Sequence, residues 1–91
     1  MRKDLYKLFK TLGNKKRLKI VELLLKNRGL SVEAISRRID SSYKSTSKHL
    51  LILENAGLVE RKQSKWWGFY SISTGNKDFI RKILSVANKI K

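Results

Sequence analysis

Apolar residues recur at helical spacing in four successive segments of this chain, give way to a short run of β-formers, and return to helical spacing at the C-terminal end. Leu5, Leu8, Phe9 and Leu12 make the i, i+3, i+4, i+7 stripe of an amphipathic helix, which Gly13 closes. Asn14 is placed to cap a second helix. Its Leu18, Ile20, Val21, Leu23, Leu24 and Leu25 wrap more than one side, the pattern of a helix at the centre of a small bundle, and Asn27-Arg28-Gly29 ends it. Ser31 opens a third helix with Val32, Ala34, Ile35 and Ile39 on its dry face. Asp40-Ser41-Ser42 then breaks it and caps a fourth, which runs to Gly57.

The fourth helix divides cleanly between its faces. Thr46, Leu50 and Leu53 form the inward stripe, whereas Tyr43, Lys44, Ser45, Ser47 and Lys48 occupy the outer side of the first turns. Residues 31–57 therefore predict a helix-turn-helix, whose second helix presents its N-terminal end to base edges in a major groove. Small polar, aromatic and cationic side chains suit that position. Ser42 has two uses there, as a helix cap and as part of a helix terminus that receives phosphate. The Thr46 hydroxyl must either find a backbone carbonyl one turn back or leave the local core weaker. Leu51 is an apolar residue predicted to face outward.

Leu58 and Val59 lead into a hairpin, so that 58–73 reads as a wing: Glu60 to Gln63, a turn near Ser64 and Lys65, and a return over Trp66 to Ser73. Strand alternation puts Trp66 in the inward row with Gly68, Tyr70 and Ile72, and leaves Trp67 and Phe69 on the opposite face. Arg61, Lys62 and Lys65 flank the tip, where a cationic ribbon beside a reading helix has the DNA backbone as its ligand.

After Thr74-Gly75-Asn76, with Asn76 as N-cap and Asp78 in the first turn, a last helix runs over 76–90. Phe79, Ile80, Ile83, Leu84, Ala87 and Ile90 form a broad apolar stripe. Together with the N-terminal stripe over 5–12 it predicts a two-fold dimer interface built from both terminal helices, in preference to packing of the two on each other within one subunit. The predicted fold is mainly α with a small β-hairpin, in the order α-α-α-α-β-β-α, a single winged helix-turn-helix domain spanning 1–91.

Charge narrows the partner. The 22 Lys and Arg against 7 Asp and Glu leave a formal charge of +15 on 91 residues, which favours a polyanion. Cysteine is absent and histidine occurs once, at His49, so no thiolate nucleophile or Cys-based zinc site exists. With carboxylates scattered as well, no acid, base and nucleophile set for an enzyme can be assembled. No apolar run approaches the ~20 residues of a spanning helix, and no signal-like N-terminal segment is present. The expectation is a cytosolic protein without a membrane partner.

Several fragments taken together resemble the ArsR-type winged-helix repressors: Leu8 to Asn14, Arg17-Leu18-Lys19-Ile20, Ser42 to Leu53, Asn55-Ala56-Gly57-Leu58-Val59 and Trp67 to Ile72. The resemblance covers about three quarters of the chain. It implies a homodimeric regulator whose two reading helices enter successive major grooves of a pseudo-palindromic operator, with wings on the flanking backbone or minor groove. His49 falls on the histidine of that family's reading helix, which implies packing or phosphate contact. Many such proteins sense metal through a Cys-x-Cys pair, and the matching positions here are Ser31 and Glu33. A second metal site of the family needs Asp, His and Glu on the C-terminal helix, which has Asp78 as its only carboxylate. The expectation is a regulator that is not metal-responsive and holds no cofactor, with double-stranded DNA as partner. The alternative from another class is a weakly specific nucleoprotein or RNA-binding module, which the high charge favours because phosphate neutralisation carries no sequence information.

Overall fold

The computed structural model describes residues 2–90, with side chains over 6–86. Its elements are α1 (Arg2–Leu12), α2 (Lys15–Lys26), α3 (Val32–Ile39), α4 (Tyr43–Asn55), β1 (Val59–Gln63), β2 (Gly68–Ile72) and α5 (Lys77–Ile90). Three of the four predicted caps are made. Asn14 Oδ1 accepts from the Arg17 amide at 3.1 Å, Ser31 Oγ from Ala34 at 3.2 Å and Ser42 Oγ from Ser45 at 3.0 Å. Asn76 uses its side chain in another way, donating from Nδ2 to the Gly57 carbonyl at 2.8 Å and so tying the start of α5 to the end of α4.

The turn between α3 and α4 is set by Asp40, whose φ of 55° lies in the left-handed region. A short side chain that can bond locally tolerates this conformation, and the Ser41 amide then reaches back to the Ser36 carbonyl at 3.0 Å. Lys16 completes the turn from α2. Its Nζ donates to the carbonyls of Ile39 at 2.8 Å and Asp40 at 2.9 Å, placing a cation on the exposed C-terminal carbonyls of α3.

The core is centred on α2, as its wraparound apolar pattern predicts. Ile20, Val21 and Leu24 meet Ile35 and Ile39 of α3, Leu50 and Leu53 of α4, and Leu58, Val59 and Tyr70 of the hairpin. Leu12 and Ile80 join the same cluster, at 5% and 0% exposure. That corrects the expected dimer face, because these two side chains are consumed within one protomer; Leu8 and Leu84 pack partly against the same core. What stays open on the terminal helices is Phe9 and Phe79, with half-buried Ile83, and also Tyr6 and Val86, which the periodicity had not singled out. The side chains of Leu5, Ala87 and Ile90 lie outside the described residues.

The strands pair antiparallel with Val59 opposite Ile72 and Gln63 opposite Gly68. The connection is longer than expected. Ser64 to Trp67 form a four-residue loop, closed by the Ser64 amide donating to the Trp67 carbonyl at 2.9 Å, so Trp66 is not in a strand. It is 86% exposed, whereas Tyr70 of the predicted inward row is buried and Ile72 half-buried. No Asn-Gly or Asp-Gly pair is present to enforce a two-residue turn, and the pairing ends earlier than alternation alone suggests. A one-residue bridge adds to the hairpin, with Leu30 and Tyr70 exchanging backbone hydrogen bonds of 3.0 and 2.8 Å.

Candidate nucleic-acid interface

The site is assembled around the first turns of α4. Ser42, Tyr43, Lys44 and Lys48 are exposed, and Ser45 and Ser47 are half-buried beside them. The opposite face of the helix is anchored by Thr46, Leu50 and Leu53, all inaccessible to solvent, so the outward side chains project from a fixed axis. Thr46 Oγ1 has no hydrogen-bond partner among the described residues. Of the two fates open to that hydroxyl, the backbone bond is not made. The helix carries an unsatisfied buried group worth about 1–3 kcal/mol of desolvation.

His49 is turned toward α2. Its Nδ1 lies 3.4 Å from Arg17 Nη1, and because a guanidinium only donates, Nδ1 is the acceptor and the ring proton sits on Nε2. Burial pushes the imidazole below its ordinary pKa, and the charges of Arg17 and then Lys16 push in the same direction. Arg17 also donates from Nε to the Thr11 carbonyl at 2.6 Å. One guanidinium thus connects the end of α1, the start of α2 and the middle of α4. Neither Arg17 nor Lys16 is recognisable in the sequence as part of the site, since their partners lie more than 20 residues away or are backbone carbonyls.

On the wing, Arg61, Lys62 and Lys65 are all exposed. Arg61 stands opposite Tyr70, and its guanidinium lies over Gly68, where a Cβ would come within 2.6 Å of Nη2. The missing side chain at Gly68 makes room for a cation laid against the strand. Burial raises the Tyr70 phenol above its ordinary pKa, with Glu54 adding to the effect and Arg61 opposing it. Tyr43 and Ser47 of α4, Ser31 and Glu33 of α3, and Arg61, Trp67, Gly68 and Tyr70 of the hairpin line one open cavity of about 530 Å³. The start of α3, the first turns of α4 and the hairpin together wall it.

Residues 14–61 match the model of the bacterial regulatory proteins of the arsR family, more than half of the chain. The chain belongs to the ArsR family. It is 30% identical over 83 residues to the uncharacterized HTH-type transcriptional regulator MJ1325 of Methanocaldococcus jannaschii, covering 91% of this chain and 90% of that one. It is 37% identical over 67 residues to the transcriptional activator HlyU of Vibrio cholerae, covering 74% of this chain and 61% of HlyU. Among solved structures, the homodimeric winged helix-turn-helix DNA-binding domain Mb0332 of Mycobacterium bovis superposes with a TM-score of 0.87 at 26% identity, over 96% of this chain and 81% of that domain. This is a transcriptional regulator with a DNA-binding winged helix, in a family that is not enzymatic. At the two positions that the resemblance sets against a Cys-x-Cys pair, Ser31 Oγ is engaged as the α3 cap and Glu33 offers a carboxylate in the first turn, and neither is a soft donor. Among the described residues no three His, Asp or Glu side chains converge, and no helix is long and apolar enough to cross a membrane.

Proposed function

We propose that this ArsR-family protein acts as a homodimer that reads a pseudo-palindromic operator in double-stranded DNA and represses by occupying it, without control by metal. The observation that carries the reading is the pairing of an anchored helix, whose first turns expose Tyr43, Lys44 and Lys48, with a cationic hairpin across one shared cavity. Tyr43, Lys44, Ser45, Ser47 and Lys48 meet base edges and phosphates, with Ser42 at the helix terminus. Arg61, Lys62 and Lys65 neutralise backbone. The dimer is supported by Mb0332 and by Tyr6, Phe9, Phe79 and Val86, large apolar side chains left exposed on the terminal helices. Freedom from metal control is supported by the absence of cysteine and by the engaged Ser31.

Selection of bound duplexes from a random pool, followed by transcription from a template carrying the recovered site, is the decisive experiment. The expected result is a two-fold-related sequence at which the protein lowers transcription, unchanged by zinc, cobalt or cadmium. Stimulation at that site, as the name of HlyU describes for that relative, would overturn the repressor assignment. Recovery of no preferred sequence would favour the weakly specific nucleoprotein, the reading that +15 on 91 residues supports. Sedimentation of Phe79→Asp against the wild type tests the dimer, with the variant expected to shift toward monomer.

A further inference from the structure

The two tryptophans at the hairpin tip are adjacent in sequence and differ in support. Trp67 stacks obliquely on Phe69, with ring centroids 6.4 Å apart and planes at 60°. Phe69 in turn lies on Gly29, where even a Cβ would be 2.8 Å from its Cδ2. Trp67 is thereby braced through Phe69 to the connection between α2 and α3. Trp66, one residue earlier at the apex of the loop, is 86% exposed and projects beyond this brace. Leaving an entire indole in water is costly, and its surroundings restrict what can cover it. Lys62 and Lys65 share the tip, and Trp67 lines the same cavity as Tyr43 and Ser47 of α4, so the tip stands beside the helix that faces DNA.

We propose that Trp66 is a stacking wedge for duplex DNA: with the reading helix in the major groove, the wing carries the indole into the adjacent minor groove and places it against a partly unstacked base step. The inference rests on the DNA reading of α4. Charge selects a polyanion, and the indole selects one that offers flat π faces; nucleic acid satisfies both. A two-stranded ribbon is too weak by itself to force bases apart. Here the brace from Trp67 through Phe69 to Gly29, and the backbone bridge between Leu30 and Tyr70, tie the hairpin to the folded body up to the residue next to Trp66.

The chain has only two tryptophans, so Trp67→Phe leaves Trp66 as the sole indole reporter while keeping an aromatic ring against Phe69. Its emission is followed during titration with the selected duplex, with acrylamide as quencher and with 2-aminopurine placed at successive steps of the flanking minor groove. The expected result is quenched, acrylamide-shielded Trp66 emission and brightening of 2-aminopurine at one step per half-site. In the otherwise native chain, Trp66→Ala should remove the brightening and weaken duplex binding roughly 5- to 100-fold. Lys65→Ala should weaken binding yet retain the brightening. Duplex binding with Trp66 still open to acrylamide and no 2-aminopurine response would overturn the wedge while leaving the DNA reading in place. Failure to bind any duplex would overturn both. Shielding of Trp66 by vesicles of anionic phospholipid, with none by duplex, would assign the tip to a membrane surface and overturn the wedge.

Discussion

The fourth helix and the wing both expose cations, from opposite mechanical situations. Helix α4 is held by three side chains without solvent exposure, by Lys16 on the turn before it and by Arg17 on His49. The wing has only its base in the core, at Val59, Tyr70 and Leu58, and its cations stand on the exposed part of β1 and the loop. Rigid positioning is what distinguishes one base edge from another, whereas a phosphate can be neutralised by a cation with latitude in its placement. Discrimination is therefore expected to reside in α4, and affinity to be shared with the wing.

The largest expected effect is common to both regions. With ~6–10 phosphate contacts per dimer, affinity should fall roughly 10³–10⁵ between 50 and 200 mM salt, measured by fluorescence anisotropy on a labelled duplex. A flat salt profile would remove the electrostatic half of the comparison. Next comes the mechanical half. Leu50→Ala empties a site with no solvent exposure and should cost about 2–5 kcal/mol in urea unfolding, whereas Lys62→Ala should leave unfolding within ~0.5 kcal/mol of wild type. Equal effects would mean that the helix is no better anchored than the ribbon.

Division of labour on DNA is sharpened by a smaller pair of effects. Tyr43→Ala or Lys44→Ala should reduce discrimination between operator and scrambled duplex by about 1–3 kcal/mol, while Lys62→Ala or Lys65→Ala should weaken both duplexes equally and lower the salt slope by about 1. Anisotropy with both duplexes at several salt concentrations separates the two outcomes. Thr46→Val tests whether anchoring has been compromised for a polar group: with Oγ1 unpartnered, the near-isosteric change should raise stability by ~1 kcal/mol and leave operator binding intact.

The smallest effect concerns His49. Its folded pKa is depressed below the ordinary 6.5, so the unfolded chain takes up a proton first as pH falls. The neutral, Arg17-bonded ring thus contributes stability that is complete above about pH 6.5 and is lost as pH drops toward the folded pKa. Urea midpoints for wild type and His49→Gln between pH 5 and 8 should run parallel above about pH 6.5 and diverge below it, with the wild type falling more steeply. A wild type no steeper than the variant would mean that burial and the Arg17 and Lys16 charges do not hold the imidazole pKa down in the folded state.

Elements governed by local rules were legible in the residues. Helix spacing, the caps at Asn14, Ser31 and Ser42, and the inward Thr46, Leu50 and Leu53 all depend on neighbours within four positions, and they stand where the pattern put them. So did the turn at Asp40-Ser41-Ser42, and with it the placement of Tyr43 and Lys44 on an open face. Other features required the third dimension. Leu12 and Ile80 belong to the same amphipathic stripes as Phe9 and Phe79, and periodicity cannot tell which part of a stripe meets the protomer's own core and which stays open. The hairpin loop could not be measured without a turn-specific residue pair, so Trp66 passed for a strand residue. Arg17 with His49, Lys16 with the α3 terminus, and Phe69 on Gly29 join positions distant in sequence and carry no periodic signal. The amino-acid order by itself determined the elements, their dry faces and the cationic face, because backbone propensity and side-chain period act locally; packing alone decided which apolar residues remain exposed and which cations, Lys16 and Arg17 among them, bond within the fold.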